Sequence, residues 1–415
     1  MGVGTEVPEG ARVTPRTLAT TCCIAGGGPA GMMLGLLLAR AGIAVIVLEK
    51  HADFLRDFRG DTIHPSTLEI MHELGLVEGL LKLPHQKAPA IKAQFGDMAL
   101  TFADFSHLPT HCKFIALMPQ WDFLNFLAGE GKRYAGFTLM MRTTAGAPIE
   151  EGGRIVGLRA SDDNGELEIR ADLVIGADGR HSTVRDSIGA AVESLGAPMD
   201  VLWFRLTRRA SDTMETIGRF DAGRIFIMLN RGEHWQCAFV IAKGSFDALR
   251  TRGLPEFRDE FVALAPFVRD RVGEIASWDD VKLLTVAVDR LTRWYRDGLL
   301  CIGDAAHAMS PIGGVGINLA IQDAVAAANI LAVKLRARRL STDDLRRVQR
   351  RREFPTRWTQ RLQLFIQDRV ITQVLGSKAA LTPPLAIRLL ARYPALRRIP
   401  GRLVGIGIRP EHVRI

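Results

Sequence analysis

The pattern of apolar and polar positions is clearest near the start of the chain, over residues 18–50. Residues 18–25 form a short apolar stretch compatible with a strand, and residues 32–41 form a run rich in Leu, Met and Ala that is typical of a helix. Gly42 ends this run, and residues 43–48 are a continuous apolar stretch of the kind found in central strands of parallel sheets. The pattern therefore predicts a strand–helix–strand unit.

The apolar period changes to two between residues 199 and 246. This alternation predicts antiparallel strands and indicates a second, sheet-based domain inserted into the first. A short apolar strand at 298–302 and a long helix at 316–340 then return to the earlier βα character. The predicted organisation has four parts: a tail at 1–16, a discontinuous α/β domain at 17–87, 114–190 and 284–362, an inserted β-sheet domain at 88–113 and 191–283, and a helical C-terminal segment at 363–415.

Composition narrows the class of protein. Of the 415 residues, 47% are apolar and 24% are charged, which excludes a wholly disordered chain. No uncharged apolar run reaches about 18 residues, so a membrane-spanning helix is not expected, and residues 1–16 lack the apolar region of a signal peptide. The five cysteines have no CxxC spacing, which indicates reduced thiols in a cytoplasmic protein and gives no reason to expect a metal site.

The chain is basic, with a formal net charge of +9 and many of its arginines at 336–352. A basic protein can attract nucleic acid, an anionic membrane surface or anionic small molecules. No zinc-finger or RNA-binding motif accompanies the arginines, so we expect no nucleic-acid partner, and a solvated helix explains them best. The basic and apolar segment 381–408 leaves one alternative open, which is peripheral contact with a membrane surface through an interfacial helix.

The turn after the first predicted strand contains Gly26, Gly28 and Gly31 in the spacing GxGxxG. The first glycine permits a sharp turn, the second lets the backbone approach a pyrophosphate, and the third lets the helix pack closely on the strand. The pyrophosphate then lies at the positive end of the helix. Glu49, 18 residues beyond Gly31, ends the next strand, where its carboxylate can accept hydrogen bonds from ribose hydroxyls and would repel a 2′-phosphate. The pattern therefore predicts a Rossmann-like unit that binds FAD or NAD rather than NADP.

Two further turns carry candidate chemistry. An apolar strand at 171–176 runs into Gly-Ala-Asp-Gly at 176–179, and Ser182 can cap the helix that follows. The sequence GDAAH at 303–307 precedes a proline- and glycine-rich loop at 311–318, which opens a long helix. A carboxylate on a tight turn can accept hydrogen bonds from a sugar-like polyol, and a helix N-terminus presents backbone N–H groups. Each turn is modest evidence alone, but the three in this order are specific.

Together the three turns resemble those of the single-component, class A flavin-dependent aromatic hydroxylases, the family typified by para-hydroxybenzoate hydroxylase. The resemblance covers residues 18–335. It implies an α/β fold with a Rossmann-like FAD-binding domain, an inserted mixed or antiparallel β-sheet domain that binds substrate, and a helical C-terminal tail. It also implies that NAD(P)H reduces FAD and that the reduced flavin reacts with O2 to form a C4a-hydroperoxide, which hydroxylates an aromatic ring.

Carried over residue by residue, the resemblance implies roles at each part of the cofactor. The residues at the pyrophosphate and the adenosine ribose are Gly26, Gly28, Gly31, Glu49 and Lys50. The residues nearer the flavin and its ribityl chain are Arg59, Gln120 and Asp304. Asp178 and Gly179 match the family motif tied to FAD and NAD(P)H binding. The loop against the isoalloxazine ring contains Pro311, Gly314, Gly316, Ile317 and Asn318, although Val315 stands where relatives often have Gln. The candidate catalytic residues are Pro311, Gly314 and His307, with a structural role in the loop as the favoured alternative for His307.

The substrate is expected between the flavin and the inserted sheet. The candidate substrate-binding residues are Trp203, Arg205, Phe226, Met228 and Trp235, with ordinary core or surface positions as the alternative. All three tyrosines, Tyr134, Tyr295 and Tyr393, fall outside the candidate pocket strands. A tyrosine pair that deprotonates a small phenol, as in the para-hydroxybenzoate enzyme, is therefore not expected. A larger and more apolar substrate is favoured, such as a polycyclic aromatic, polyketide or quinone-like molecule.

Several alternatives to a hydroxylase of this kind stay open at this point. Flavin-dependent halogenases share much of the scaffold, but none of the six tryptophans forms their Trp-x-Trp motif. A flavin reductase or dehydrogenase of an isoprenoid or quinone-like substrate uses a similar FAD domain. A ubiquinone-type hydroxylase at a membrane surface has the same chemistry, and a flavin-binding sensor would have none. The choice between NADH and NADPH, and between monomer and homodimer, is also open.

Overall fold

The chain folds around two large β-sheets in a computed structural model that describes residues 15–55, 62–96, 98–187, 189–213, 216–377, 381 and 383–415. Arg59, one of the predicted flavin contacts, lies outside the described residues, as does nearly all of the predicted tail at 1–16. The strands in chain order are β1 (Arg16–Ala25), β2 (Val45–Leu48), β3 (Thr62–Ile63), β4 (Gln86–Ala88), β5 (Ala90–Phe95), β6 (Met98–Asp104), β7 (Ile115–Leu117), β8 (Phe137–Met140), β9 (Thr144–Glu151), β10 (Arg154–Asp162), β11 (Gly165–Gly176), β12 (Val192–Ser194), β13 (Met199–Thr207), β14 (Ile217–Asp221), β15 (Arg224–Asn230), β16 (His234–Ala242), β17 (Lys282–Leu284), β18 (Asp289–Leu291), β19 (Tyr295–Arg296), β20 (Leu299–Cys301) and β21 (His307–Ala308).

The α-helices alternate with these strands in the first half of the chain and follow them at the end. In chain order they are α1 (Pro29–Arg40), α2 (Pro65–Glu73), α3 (Val77–Leu80), α4 (Gln120–Gly131), α5 (Thr183–Ser187), α6 (Phe246–Arg252), α7 (Leu254–Leu264), α8 (Gly316–Arg336), α9 (Thr342–Ile366), α10 (Thr372–Gly376), α11 (Leu385–Arg392) and α12 (Arg398–Gly405).

The central sheet has eight strands, and its core is parallel. β1 pairs in parallel with β2 and β11, β2 pairs with β8, and β11 pairs with β20. All four residues of β2 are buried, as are the last four of β1, because helices and sheet cover both faces of these strands. The carboxyl ends of β1, β2, β11 and β20 therefore meet at one edge of the sheet, where ligands bind in open α/β sheets.

The second sheet has seven strands in the order β17-β13-β16-β15-β14-β5-β6. Its pairs are antiparallel except for β14 with β5, so the sheet is mixed. β5 and β6 come from an early part of the chain, β13 to β16 come from the stretch whose apolar period is two, and β17 (Lys282–Leu284) follows that stretch. The sheet is thus assembled from two separate stretches of the chain.

The two faces of the second sheet are covered by different helices. On one face, here called the outer face, Phe204 and Phe226 pack edge-to-face against Phe261 of α7, with ring centroids 5.0 and 4.6 Å away. On the opposite, inner face, Val201, Ile225 and Val240 lie in a cluster with apolar residues of the π-helical turn, α10 and α11. Ile312, from the loop before α8, also packs against this inner cluster. The inner face is therefore the one next to the FAD-binding domain.

The C-terminal segment begins as a long helix rather than as short ones. Ser341 is the N-cap of α9, and its side chain forms a capping box with Asp344; the helix continues through a π-helical turn, Gln367–Ile371, into α10. The predicted helical segment at 363–415 thus shares its first residues with a helix that starts more than twenty positions earlier. The pattern missed this because the buried face of α9 is polar, and it includes Gln349, Arg352 and Gln360.

α8 is the core helix between the domains. The segment Ile312–Arg336 is long and apolar enough to span a membrane by length and composition alone. In the fold, however, most of this segment is buried, and α8 packs against α1 and α9. Its apolar surface is therefore explained by the protein interior.

Candidate active site

The glycine turn between β1 and α1 leaves open space where a cofactor would bind. A Cβ atom on Gly26, whose φ is +106°, would lie 2.4 Å from the Ala177 carbonyl oxygen, and one on Gly31 would lie 2.0 Å from the Gly26 carbonyl oxygen. Gly28 differs, because among the described residues no atom other than those of its chain neighbours lies within 4 Å of its Cβ position. No acidic side chain lies in the first turn of α1 and no side chain caps it. The N–H groups at this helix end are therefore available to the pyrophosphate of FAD.

Glu49 lies directly beside this turn at the end of β2. A Cβ atom on Gly27 would lie 3.0 Å from Glu49 Oε2. The Glu49 side chain is buried, and its Oε1 accepts a hydrogen bond of 3.0 Å from the His51 N–H. The neighbouring Lys50 is exposed. The buried carboxylate at a strand end next to the glycine turn fits the adenosine ribose of FAD.

Asp178 and Gly179 form the adjacent turn, after β11. The Asp178 carboxylate accepts hydrogen bonds from Ser182 Oγ at 2.5 Å and from the Val184 N–H at 3.3 Å, so it organises the entry into α5. Burial raises the pKa of Asp178, and these hydrogen bonds oppose that rise. Gly179 has φ of +87° and open space at its Cβ position. The backbone of this turn therefore contacts the glycine turn after β1, and the space beside Gly179 is open.

Asp304 lies at the fourth strand end, after β20. The Gly303 before it has φ of +58°, and its Cβ position lies 3.1 Å from Ala30 Cβ and 3.2 Å from Ala320 Cβ. Gly303 is thus clamped between α1 and α8, and only glycine fits this close approach. Asp304 is half-buried. The arrangement brings Asp304 to the same sheet edge as Gly28, which suits an acid that binds the ribityl chain.

The loop at 311–318 is tied to the segment after β3 by Asn318. The Asn318 Oδ1 accepts hydrogen bonds from the His64 N–H at 2.9 Å and from Thr67 Oγ1 at 2.8 Å. The Asn318 Nδ2 donates to the carbonyl oxygens of Thr62 and Gly314, both at 3.2 Å. The Asn318 side chain therefore fixes the shape of the loop, and its polar atoms are engaged by protein groups.

The remaining predicted loop residues lie around the start of α8. Gly316 and Ile317 begin this helix, whose first turn has no acidic side chain. Gly314 has φ of +63° and Pro311 precedes the short 3-10 turn that contains it. Gln120 is the first residue of α4 and is half-buried.

His307 faces the protein interior. Its ring is only 1% exposed, and its Nε2 lies 2.6 Å from Asp323 Oδ2. The ring also contacts Trp294, with centroids 5.0 Å apart. Burial opposes ionisation of Asp323, but His307 and Arg352 hold the pKa of its carboxyl below the usual range. The geometry of His307 is that of a side chain that supports the turn carrying Asp304.

The five candidate substrate-binding residues do not share one face of the second sheet. Phe226, Met228 and Trp235 are fully buried on the outer face, under α6 and α7. Trp203 and Arg205 lie on the inner face, because they alternate with Phe204 along β13. Strand periodicity separates the two faces correctly but carries no information on which face meets the cofactor domain.

The inner-face neighbours of Trp203 were not among the predicted residues. Trp203 is opposite Ala238, Ala238 is opposite Ile227, and Ile227 is opposite Gly218, so the four form one row across β13, β16, β15 and β14. The sequence did contain a signal for Ala238 and Ile227, because they alternate with the predicted residues along β16 and β15.

The chain is similar to a known family of proteins and to several of its members. A family described as FAD binding domain matches residues 19–361. The 6-methylpretetramide 4-monooxygenase of Streptomyces rimosus is 34% identical over 386 residues, which cover 92% of this chain and 92% of that protein. The rifampicin monooxygenase of Streptomyces venezuelae is 30% identical over 326 residues, which cover 72% of this chain and 61% of that protein.

Solved structures agree with the sheet topology. The anhydrotetracycline hydroxylase OxyS of Streptomyces rimosus superimposes with a TM-score of 0.72 at 21% identity, covering 95% of this chain and 77% of that chain. The p-nitrophenol 4-monooxygenase PnpA of Pseudomonas putida superimposes with a TM-score of 0.71 at 19% identity, covering 94% of both chains. The predicted fold class is confirmed. With the match to the family and its monooxygenase relatives, and with a sheet edge that fits FAD, the chain belongs to the single-component FAD-dependent aromatic hydroxylases.

Proposed function

We propose that this monooxygenase hydroxylates a polycyclic aromatic substrate of the polyketide type, with NADH or NADPH as the electron donor. The balanced reaction consumes the substrate, O2, NAD(P)H and one proton, and it yields the hydroxylated substrate, NAD(P)⁺ and water. The relatives named for 6-methylpretetramide and for anhydrotetracycline support this substrate class by similarity.

The cofactor contacts in this proposal follow from the four strand ends. Bound FAD supplies the electron transfer and the activation of O2. Gly28 and the first turn of α1 would bind its pyrophosphate, Glu49 its ribose hydroxyls and Asp304 its ribityl chain. The loop from Pro311 to Asn318 would support the ring system and exclude water from it.

The observation that carries the substrate class is the row on the inner face. Ala238 is small and lies between the larger side chains of Trp203 and Ile227, and Gly218 lies beyond Ile227 at the end of the row. Adjacent strands are about 4.8 Å apart, so a row across four strands is about 14 Å long. A flat, elongated apolar molecule fits such a row better than a single phenol ring does. Ile312 brings the flavin loop to the same cluster.

The row opens towards polar groups at one end. Arg205 follows Trp203 on the same face and lines a surface cavity of about 390 Å³ together with His234, Lys282 and the carboxylates of Glu274, Asp279 and Asp280. Phenolate and carbonyl oxygens are typical acceptors for guanidinium and ammonium groups. We therefore propose that Arg205 binds a polar end of the substrate while its apolar rings lie against Trp203 and Ile227, which are half-buried side chains of the row.

Flavin reduction in the absence of O2 tests this proposal directly. Bleaching of the flavin by NADH or NADPH is followed with and without a panel of ligands, namely monocyclic phenols, polycyclic phenols and isoprenoid quinones. We expect the polycyclic phenols to accelerate reduction, and we expect hydroxylated product once O2 is admitted. Fast reduction that is independent of ligand would favour the reductase alternative, and acceleration by isoprenoid quinones alone would favour the ubiquinone-type alternative.

The membrane-surface contact expected from the sequence stays a prediction, as does the monomer or homodimer state. The side chains that favour such contact are Leu385, Tyr393 and Ile399, which are 62%, 53% and 60% exposed. No acidic residue occurs between Asp368 and Glu411. Sedimentation with anionic and with neutral lipid vesicles tests the contact. Binding to neither kind of vesicle would contradict the prediction of membrane-surface contact.

A further inference from the structure

A fully buried carboxylate joins the Gly303–Asp304 turn to the helices behind it. Asp323 of α8 is 0% exposed. Its Oδ2 accepts a hydrogen bond of 3.1 Å from the Gly303 N–H and lies 2.6 Å from His307 Nε2, so one oxygen contacts both sides of the turn. Its other oxygen, Oδ1, accepts a hydrogen bond of 2.9 Å from Arg352 Nε.

Arg352 links this carboxylate to the end of the chain. Its side chain is also 0% exposed, and its NH1 lies 3.3 Å from Glu411 Oε1. The same Glu411 oxygen accepts a hydrogen bond of 2.6 Å from Arg351 Nε. A buried charge is costly unless it is paired and hydrogen-bonded, and loss of one partner leaves the others uncompensated. The charges therefore depend on one another, from Glu411 through Arg352 to Asp323.

Residues 404–414, here called the C-terminal strap, carry Glu411 and are docked along their length. The Val404 carbonyl oxygen lies 2.8 Å from His64 Nδ1, and the Glu411 N–H donates to Gln322 Oε1 at 3.3 Å. Further on, the Val413 N–H donates to Glu73 Oε2 at 2.7 Å. The strap thus contacts the start and end of α2 and the middle of α8, both of which adjoin the predicted FAD site.

We propose that Asp323 is a positioning residue for FAD binding and that the C-terminal strap sets its geometry through Glu411 and Arg352. Asp323 does not reach the sheet edge itself. It orients the Gly303 backbone, and with it the Asp304 carboxylate that we propose as the ribityl ligand. The last residues of the chain therefore contribute to cofactor affinity without touching the cofactor.

The first test measures FAD affinity in a strap variant. Glu411→Gln removes the charge that faces Arg352 and keeps the size of the side chain. We expect the Kd for FAD, titrated into apoprotein by flavin fluorescence, to rise about tenfold, which corresponds to about 1.4 kcal/mol. The matched control is Glu353→Gln. It removes the ion pair between Glu353 and Arg357 on the surface of α9 and should leave the Kd for FAD unchanged.

The second test asks whether Asp323 acts through Asp304. Asp323→Asn should raise the FAD Kd by more than Glu411→Gln does, and Asp304→Ala should raise it strongly. In the double variant the two effects on the FAD Kd should be much less than additive. Once Asp304 is mispositioned, it contributes little to FAD binding, so its removal should change the Kd little further. The visible circular dichroism of bound flavin should also change in Asp323→Asn, which a merely structural loss of stability would not cause.

Two outcomes would overturn the proposal. One is a wild-type FAD Kd in Glu411→Gln with apoprotein that unfolds as the wild type does. The other is full additivity of Asp323→Asn and Asp304→Ala, which would show that the two carboxylates act independently. If Asp323→Asn fails to fold, the Kd of Glu411→Gln against its Glu353→Gln control decides the matter alone.

Discussion

At the scale of single residues, the three glycines of the cofactor turn have different physical reasons. Gly26 and Gly31 are required by the protein itself, because a Cβ atom at either position would meet backbone within 2.4 Å. Gly28 has an ordinary φ of −74°, and in the described part of the chain no atom beyond its own neighbours lies within 4 Å of its Cβ position. The conformation of the chain alone would tolerate alanine there. We therefore propose that the ligand, rather than the fold, requires glycine at position 28.

Alanine substitutions separate these two requirements. Gly31→Ala should lower the unfolding free energy of the apoprotein by about 1–3 kcal/mol, because the added methyl group forces the Gly26 backbone to move. Gly28→Ala should cost the apoprotein less than about 1 kcal/mol, the scale of a changed N-cap residue, but raise the Kd for FAD at least about tenfold. Urea unfolding of apoprotein and FAD titration give the two quantities. Equal FAD affinity in Gly28→Ala and wild type would place the pyrophosphate elsewhere.

At the scale of elements, the second sheet works through the difference between its faces. The outer face is aromatic and fully buried under α7, whereas the inner face carries the row of Trp203, Ala238, Ile227 and Gly218. Along each strand, a side chain on the outer face therefore contributes to stability, whereas the next residue lies on the inner face, where we propose that the substrate binds.

Substitutions on the two faces should have opposite consequences. Phe226→Ala should lower the unfolding free energy by about 3–5 kcal/mol, because it leaves a cavity among packed aromatic rings. Trp203→Leu should leave a stable protein that has lost most of the acceleration of flavin reduction by the ligand active on the wild type. Stopped-flow reduction and chemical unfolding of both variants make the comparison. A Trp203→Leu enzyme with unchanged acceleration would remove Trp203 from the substrate site.

A second consequence at this scale concerns the junction of α2 with α12. His64 is fully buried, and burial lowers its pKa from 6.5 to about 4, although its hydrogen bond with the Val404 carbonyl opposes this. The folded protein therefore keeps His64 neutral at pH values where the unfolded chain already binds a proton. Stability is fully present above pH 6.5 and is lost as the pH falls towards 4, by up to about 1.4 kcal/mol per pH unit.

The variant His64→Gln isolates this contribution. It retains a side-chain donor for the Val404 carbonyl oxygen but has no titrating group. Urea midpoints of both proteins between pH 7 and 4.5 should show a shallower pH dependence in the variant, by one proton. Parallel curves for the two proteins would mean that His64 takes up its proton in the folded state as it does in the unfolded one.

At the scale of the whole molecule, the thiols report on the integrity of the fold. All five cysteines are buried: Cys22, Cys23, Cys112, Cys237 and Cys301. They belong to both domains, and burial raises the pKa of each, to about 12 for Cys23. Thiolate, the reactive form, is therefore scarce at neutral pH in every part of the fold.

A thiol reagent should consequently find almost no reactive group in the native protein. Titration with a chromogenic disulfide at pH 7.5 should give no fast phase, and it should give five thiols after addition of denaturant. Because the cysteines lie in the central sheet, the second sheet and the segment before β7, partial reactivity would identify the part that opens first. A fast phase of one or more thiols in the native enzyme would contradict the buried positions.

The sequence predicted best what is local along the chain. The glycine turn, Glu49 and the strand–helix order around Gly26 follow from spacing over some thirty residues, and the structure brings them together. The sequence could not predict whether the face that carries Phe226 lies against α7 or against the FAD-binding domain, because this depends on how α7 packs on the sheet. α9 was underestimated for a related reason: its buried face carries Arg352 and Gln363, whose partners are distant in sequence.

The order of the central strands has a consequence for biosynthesis. β1 is made first, but its neighbour β11 ends at Gly176, and β20, which completes the binding edge, ends at Cys301. α8, which covers α1, follows still later. A nascent chain therefore leaves part of the apolar surface of β1 and α1 uncovered until residues 299–336 have left the ribosome. Chaperones that bind apolar segments, rather than the flavin, are the expected early partners of this chain.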